Sequence, residues 1–392
     1  MSDFPAPDAQ AQAHGRHLLQ KIRAAIRDAG GSLPFDRFMQ MALYEPGLGY
    51  YSGGLRKFGE QGDFVTAPEV SSLFSRTLAR SCKVVLQGMQ VPEILEFGAG
   101  TGTMAADILL ELESQDCLPV RYAILELSAD LQRLQQQTLR EHAPHLLGRV
   151  EWLQALPTAP FTGVVLANEV LDAMPVHLFR KHAGGFQERH VCWSDKDNAL
   201  QWCDRAADEP LRRLLEDLEK KIGHGLEEGY QSELSSLHGP WLHAISALLE
   251  RGVVYLVDYG YGRAEYFHPD RSTGTLMCHY RHRAHDNPLI LVGLQDITAY
   301  VDFTSVAEAA TDAKLDVLGY TSQAAFLMDA GIADLLMRED PEDVQRFLRL
   351  SQQMKTLTLP SEMGERFKVL CLGKNGPDGI PGFRGYSQLH RL

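Results

Sequence analysis

Apolar residues recur at Leu18, Leu19, Ile22, Ala25 and Ile26, the spacing of one helical face, and predict a helix over 17–29 that Gly30-Gly31 ends. A second short helix is expected over 35–43. Regularity then fails: residues 44–62 hold six glycines (Gly47, Gly49, Gly53, Gly54, Gly59 and Gly62) and one proline, which reads as a loop of the kind that often forms a lid or binding segment. Thr66-Ala67-Pro68-Glu69 has the form of a capping box with proline in the first turn, and predicts a helix running to about Gln87.

Beyond that point short apolar strands alternate with helices. The strand candidates are 93–97, 121–126, 150–153, 163–167 and 252–258, and the helix after Gly102 carries its apolar stripe at Met104, Ala105, Ile108, Leu109 and Leu112. This alternation predicts an α/β fold built on a doubly wound, mostly parallel sheet. Two stretches break the rhythm. Residues 176–193, with Gly184-Gly185 at their centre, read as an inserted hairpin, and 195–250 reads as helical, with Leu211, Leu214, Leu215, Leu218 and Ile222 on one face. Residues 260–302 read as loop-rich, followed by helices near Ser305, Ser322 and Pro341 and by short strands over 314–318 and 367–372 that would close the sheet. The expected organisation is an N-terminal helical elaboration with its glycine-rich loop (1–75), a core (76–372) interrupted at about 176–250, and a Gly/Pro-rich surface tail (373–392).

Composition narrows the classes. No stretch approaches the roughly 18 apolar residues of a membrane span, and a formal net charge of -13 with no basic block argues against a nucleic-acid partner. A cationic substrate or a basic protein segment suits that charge better. The six cysteines, Cys82, Cys117, Cys192, Cys203, Cys278 and Cys371, stand singly without CxxC pairs, so reduced thiols and a cytoplasmic setting are expected. Residues 1–12 carry Asp3 and Asp8 and no apolar run, so no targeting signal is read there.

The chemistry concentrates in Glu96-Phe97-Gly98-Ala99-Gly100-Thr101-Gly102. Glycines at this junction let backbone N–H groups and a helix N-terminus approach a ligand. Glu126 ends the next strand, 24 residues after Gly102, where such folds place the carboxylate that holds ribose hydroxyls. A dinucleotide fingerprint, GxGxxG, needs glycine at 103, where Thr103 stands; a nicotinamide site and a plain glycine turn remain as alternatives. The GxGxG form after an acid resembles the methyltransferase version of this loop. His279, His282 and His285 beside Asp286 are read as polar loop or substrate contacts, and no metal is expected.

Longer motifs agree. Tyr44-Glu45-Pro46-Gly47-Leu48-Gly49-Tyr50-Tyr51, Gly62-Asp63-Phe64-Val65-Thr66-Ala67-Pro68-Glu69 and Ile124-Leu125-Glu126-Leu127-Ser128 come first. Ala167-Asn168-Glu169-Val170-Leu171-Asp172-Ala173-Met174-Pro175-Val176, Val257-Asp258-Tyr259-Gly260, Gly274-Thr275-Leu276 and Gly293-Leu294-Gln295-Asp296-Ile297-Thr298 follow. Over roughly 30–370 the chain resembles the MidA-like family of methyltransferases, which includes a mitochondrial complex I assembly factor that methylates a protein arginine; Cys278 departs from the usual pattern. The resemblance implies a class I (Rossmann-like) methyltransferase fold, S-adenosyl-L-methionine as cofactor, no metal, and a protein client bearing a target arginine, such as a complex I subunit.

On that reading Gly62, Asp63, Thr66, Glu96, Gly98, Gly100, Gly102, Glu126, Leu127 and Asn168 bind cofactor. Glu169 and Asp172 are the expected catalytic carboxylates, because a guanidinium must be held by its fork and must lose a proton. Tyr50, Tyr51, Asp258, Tyr259 and His279 are expected on the substrate side. Plainer readings stand beside these: Asp172 as cap of a helix starting near Ala173, Asp63 as a turn residue, Thr66 as N-cap, and both tyrosines as anchors of the loop. The insertion is compatible with a large substrate or with a homodimer. A small-molecule N- or O-methyltransferase and an assembly chaperone that binds the cofactor are the alternatives to protein methylation.

Overall fold

The computed structural model describes residues 5–53, 65–340 and 342–392. The chain forms two compact units, one of 65–171, 239–260 and 303–392, the other of 1–64, 172–238 and 261–302. This division differs from the expected segments 1–75, 76–372 and 373–392, because the second unit collects three separate stretches of chain.

The first unit is built on seven strands: β1 (Pro92–Phe97), β2 (Arg121–Leu125), β3 (Val150–Leu153), β4 (Phe161–Asn168), β5 (Leu249–Tyr261), β6 (Asp316–Ser322) and β7 (Phe367–Lys374). Their order is 3-2-1-4-5-7-6. β1 to β5 are parallel, and β7 runs antiparallel to both neighbours. The first five strands follow the doubly wound order, and β7 is inserted antiparallel between the fifth and sixth. Val253 to Val257 in β5 are all buried, the unbroken apolar run of a strand covered on both faces. The helix Thr103–Glu113 buries the predicted stripe Met104, Ala105, Ile108, Leu109 and Leu112 in the same core.

The expected single helix from Thr66 to Gln87 is two. Ala67–Val70 ends at Ser71, whose extended backbone (φ -161°, ψ 138°) interrupts the turn, and its hydroxyl caps a second helix, Ser72–Leu86, by accepting the Leu73 N–H. Thr66 makes no side-chain capping bond. The tail also differs from expectation. Ile380 and Phe383 are buried in the core, Phe383 against Phe326, and the Ser81 hydroxyl donates to the Pro381 carbonyl at 2.6 Å.

In the second unit helices Ala9–Asp28 and Phe35–Tyr44 share a core with an antiparallel sheet of Ser32–Pro34, His177–His182, Gly185–Ser194, Ala199–Ala206 and Gln231–Leu234. The hairpin at Gly184-Gly185 is as predicted. Residues 195–250 are not wholly helical: strands Ala199–Ala206 and Gln231–Leu234 flank the helix Glu209–Ile222. The stretch read as loop-rich contains a three-stranded sheet, Met277–Tyr280 between Arg283–His285 and Asp296–Thr298. Cys192 and Cys203 are bonded as a disulfide across the 185–206 hairpin, with Cα atoms 6.1 Å apart, which corrects the expectation of six free thiols.

Candidate active site

Strand order reverses between β1 and β4, and ligands of doubly wound sheets bind beyond the carboxyl ends of the strands at that reversal. The glycine run makes the turn from β1 into the helix Thr103–Glu113. Gly98, Gly100 and Gly102 have φ of +61°, +53° and +85°, left-handed values that disfavour any side chain. At Gly102 a Cβ would also stand 2.9 Å from Gln135 Cα. The turn is pinned by Gly98 N–H donating to Leu125 O (3.1 Å) and Gly102 N–H donating to Ala99 O (2.7 Å).

Glu126 follows β2 and is 7% exposed. Its Oε1 accepts the Ser128 N–H (2.8 Å) and its Oε2 accepts Gln135 Nε2 (3.1 Å). Leu127 beside it is exposed. Gln135 was not anticipated. It is fully buried, its Nε2 also donates to the Gly100 carbonyl at 3.1 Å, and its Oε1 accepts the Trp152 indole N–H at 3.0 Å. One amide therefore ties the glycine turn, the Glu126 carboxylate and β3 together. The signal lay in the helix Ala129–His142, where Gln135 is the polar residue midway between buried Leu131 and Leu139 on one face.

Glu96 ends the apolar part of β1 and is 1% exposed. Burial lifts its pKa to about 7, the Tyr122 hydroxyl opposes this by donating to Oε2 at 2.7 Å, and the Glu126 charge adds to the rise. Glu96 Oε1 and Asn168 Oδ1 are buried acceptors without a hydrogen-bond partner among the described residues. Asn168 closes β4, and its Nδ2 donates to Glu169 Oε1 at 3.2 Å. Glu169 stands at φ +54°, a left-handed position for a residue that is not glycine. Both Asp258 oxygens, expected at a substrate, accept backbone N–H groups at 2.9 Å, from Tyr259 and Leu171. The Tyr259 ring packs 4.0 Å from that of Phe367.

Other expected residues belong to the second unit. Asp172 is buried in the turn 171–174; no helix starts at Ala173, so the capping alternative for Asp172 does not hold. Tyr50 is 1% exposed and meets Tyr51 edge-on at 5.1 Å. Tyr51 stacks on Tyr44 at 5.5 Å and donates its hydroxyl to Asp296 Oδ1 at 2.9 Å. Burial, then the Asp296 charge, push the Tyr51 pKa well above the usual phenol value. His279 sits opposite Ala284, with Cys278 opposite His285; burial and then His285 lower the His279 pKa. Gly62 and Asp63 lie outside the described residues. Asp36, His177 and Glu188, which no sequence motif marks, bring candidate ligand atoms within 4.8 Å of one another. His177 Nδ1 and Glu188 Oε1 are hydrogen-bonded at 2.8 Å, and Glu188 Oε2 meets His190 Nε2 at 3.2 Å.

A doubly wound sheet with a glycine turn after β1 and a buried acid after β2 defines a nucleotide-cofactor enzyme of the class I, Rossmann-like type. A family model described as "Putative S-adenosyl-L-methionine-dependent methyltransferase" matches residues 77–321, and the chain belongs to that family. A Burkholderia thailandensis methyl transferase candidate, solved with S-adenosyl-homocysteine bound, is 43% identical with a TM-score of 0.94, each chain covered over 100%. The protein arginine methyltransferase NDUFAF7 homolog of Drosophila melanogaster is 30% identical, matching 93% of this chain and 87% of the relative. Its Mus musculus counterpart is 28% identical, over 94% and 86%. S-adenosyl-L-methionine is accordingly the cofactor. No helix among the described residues is long and apolar enough to cross a membrane.

Proposed function

We propose that the chain methylates an arginine side chain of a protein client, a complex I subunit by family resemblance. The observation that carries this reading is Glu169, a carboxylate held in a strained backbone at the end of β4 beside Asn168. Relatives named as protein arginine methyltransferases match more than nine-tenths of the chain and support the choice of acceptor.

The residues fit the cofactor chemically. Glu126 is oriented by Ser128 and Gln135 to accept ribose hydroxyls, while Glu96 Oε1 and Asn168 Oδ1 are open acceptors for amino groups. When bound, S-adenosylmethionine supplies a methyl group on a sulfonium with a neutral leaving thioether. The protein's share is then alignment and charge. Glu169 takes the forked N–H groups of the guanidinium and receives the proton released as the nitrogen is methylated.

Incubating the protein with tritiated cofactor and cell lysate tests the reading: label should appear in protein and map to arginine. Label confined to small molecules would favour a metabolite acceptor, and label on lysine would remove the arginine assignment. Glu169→Gln should abolish transfer while S-adenosylhomocysteine affinity stays within about tenfold, because the lost contact is to the acceptor. Full activity in that variant would take Glu169 out of the mechanism.

A further inference from the structure

A cavity of about 860 Å³ lies wholly within the second unit, and none of its lining residues has a role above. One wall is the strand Gln231–Leu234 with the segment 271–277. They are joined by Glu233, whose buried carboxylate accepts the N–H groups of Thr275 (3.0 Å) and Leu276 (3.1 Å) and the hydroxyls of Thr275 and Tyr266 (both 3.2 Å). A Cβ at Gly274 would collide with that carboxylate, so glycine lets the segment wrap it closely. Glu233 is saturated from within and offers little to a ligand.

The cationic groups are in a different state. Arg189 lies 4.4 Å over the Trp202 ring, its Nη1 donates to Gln231 Oε1 at 2.6 Å, and its Nε faces Asp204 at 3.4 Å. These contacts engage two of the five N–H donors of its guanidinium. Arg271 lies 4.4 Å over the Tyr261 ring and donates Nε to the Glu265 carbonyl at 3.3 Å; no carboxylate pairs with it among the described residues. A guanidinium stacked on a ring keeps its planar fork oriented, and forks with spare donors match carboxylates bidentately. The remaining acid on the lining, Asp286, is exposed, and Leu178, Leu289 and Ile290 supply apolar wall. The volume falls in the range of ligand pockets, roughly 300–1,000 Å³. With a net charge of -13 the protein repels anions at a distance, so an acidic ligand must gain its affinity in contact here.

We propose that this cavity seats an acidic and apolar peptide segment, its carboxylates on Arg189 and Arg271 and its apolar side chains against Leu289 and Ile290. The proposal rests on the protein-client reading, since the segment is a second foothold on the client, separate from the arginine that is methylated.

The test titrates the full chain with a fluorescein-labelled nonapeptide that alternates leucine and glutamate, with its glutamine counterpart, and with free glutarate as competitor. The glutamate peptide should bind, and its affinity should fall about tenfold in Arg271→Gln and in Arg189→Lys, each removing one bidentate pair, and about a hundredfold on replacing every glutamate by glutamine, which removes both. S-adenosylhomocysteine binding, measured by calorimetry on the same variants, should be unchanged and reports that they are folded. Equal binding of the two peptides, or unchanged affinity in both arginine variants, overturns the proposal. Glutarate competing at concentrations equal to the peptide also overturns it, assigning the cavity to small dicarboxylates. If lysate labelling fails to find methylarginine while the glutamate peptide binds as expected, the function reading falls and the cavity stands. If methylarginine forms and the peptide does not bind, only the cavity assignment falls.

Discussion

Replacing Gln135 by leucine removes a clamp while nearly preserving side-chain volume. Three hydrogen bonds go: Nε2 to Gly100 O at 3.1 Å, Nε2 to Glu126 Oε2 at 3.1 Å, and Trp152 Nε1 to Oε1 at 3.0 Å. A neutral bond contributes about 1 kcal/mol net and one to an ionised carboxylate about 2, so the gross loss is about 4 kcal/mol. Burying a methyl-tipped chain in place of an amide returns about 1–2 kcal/mol, which leaves an expected destabilisation of about 2–3 kcal/mol. The damage should also reach the cofactor, because the Gly100 carbonyl and Glu126 lose their common support. S-adenosylhomocysteine affinity is expected to fall about tenfold or more as the first layer of contacts loosens. Gln135→Glu should be worse still, since it sets a second carboxylate against Glu126. Urea denaturation followed by tryptophan fluorescence gives the stability, and calorimetry with S-adenosylhomocysteine gives the affinity. A leucine variant within about 0.5 kcal/mol of the parent and equal in affinity would show that Gln135 only fills space.

Gly102→Ala combines a φ of +85° with a Cβ 2.9 Å from Gln135 Cα, so it should cost about 2–3 kcal/mol and weaken cofactor binding; a thermal-shift experiment showing parental stability would remove the close-approach argument. Glu96 has its pKa raised to about 7, first by burial, against an ordinary 4.5, so the folded state holds the proton. The stability this gives is complete below pH 4.5 and is lost as pH rises through 7, by about 3 kcal/mol, and Glu96→Gln should flatten that fall in melting temperature; matching profiles for parent and variant would refute it. Burial works to raise the Glu188 pKa, yet the hydrogen bonds and charges of His177 and His190 hold it at about 2, while for His177 burial works to lower the pKa and the Glu188 bond together with the Asp36, Glu188 and Asp208 charges raises it. The carboxylate's contribution is present above 4.5 and lost as pH falls through 2, and the imidazole's is present below 6.5 and lost above it. Glu188→Gln should therefore cost most near pH 5.5, about 2 kcal/mol, and a deficit that does not vary with pH would contradict the pairing.

The parallel strands were legible because burial on both faces leaves a run such as Val253 to Val257 with no polar interruption, and the glycine turn because three left-handed positions demand glycine. What escaped depends on tertiary pairing. Ala199–Ala206 is an edge strand whose outward positions are polar, so its alternation is hidden in a charged stretch that propensity reads as helix. Cys192 and Cys203 are 11 residues apart and meet only because Val191 pairs with Trp202 between them, a register that spacing rules for CxxC sites cannot see. Ser71 shows the same limit on a single residue: one extended backbone divides a helix whose flanking periodicity is continuous. Gln135 differs in kind, since a polar residue on an apolar helical face is a visible anomaly that points to a buried partner before the partner is known.

Asp258, expected on the substrate side, also has a bracing task within the fold. It stands near the carboxyl end of β5, and its two oxygens accept the N–H groups of Leu171 and Tyr259. The bond to Leu171 restrains the chain two residues beyond Glu169, and the Glu169 N–H donates to Val257 O at 2.9 Å immediately before Asp258. A left-handed glutamate costs on the order of 1 kcal/mol or more and persists only where neighbouring bonds over-determine it. Asp258 therefore supports the turn that aims the Glu169 carboxylate. On the proposed reading Glu169 meets the acceptor, and Asp258 acts through it by helping to hold the left-handed turn at 169.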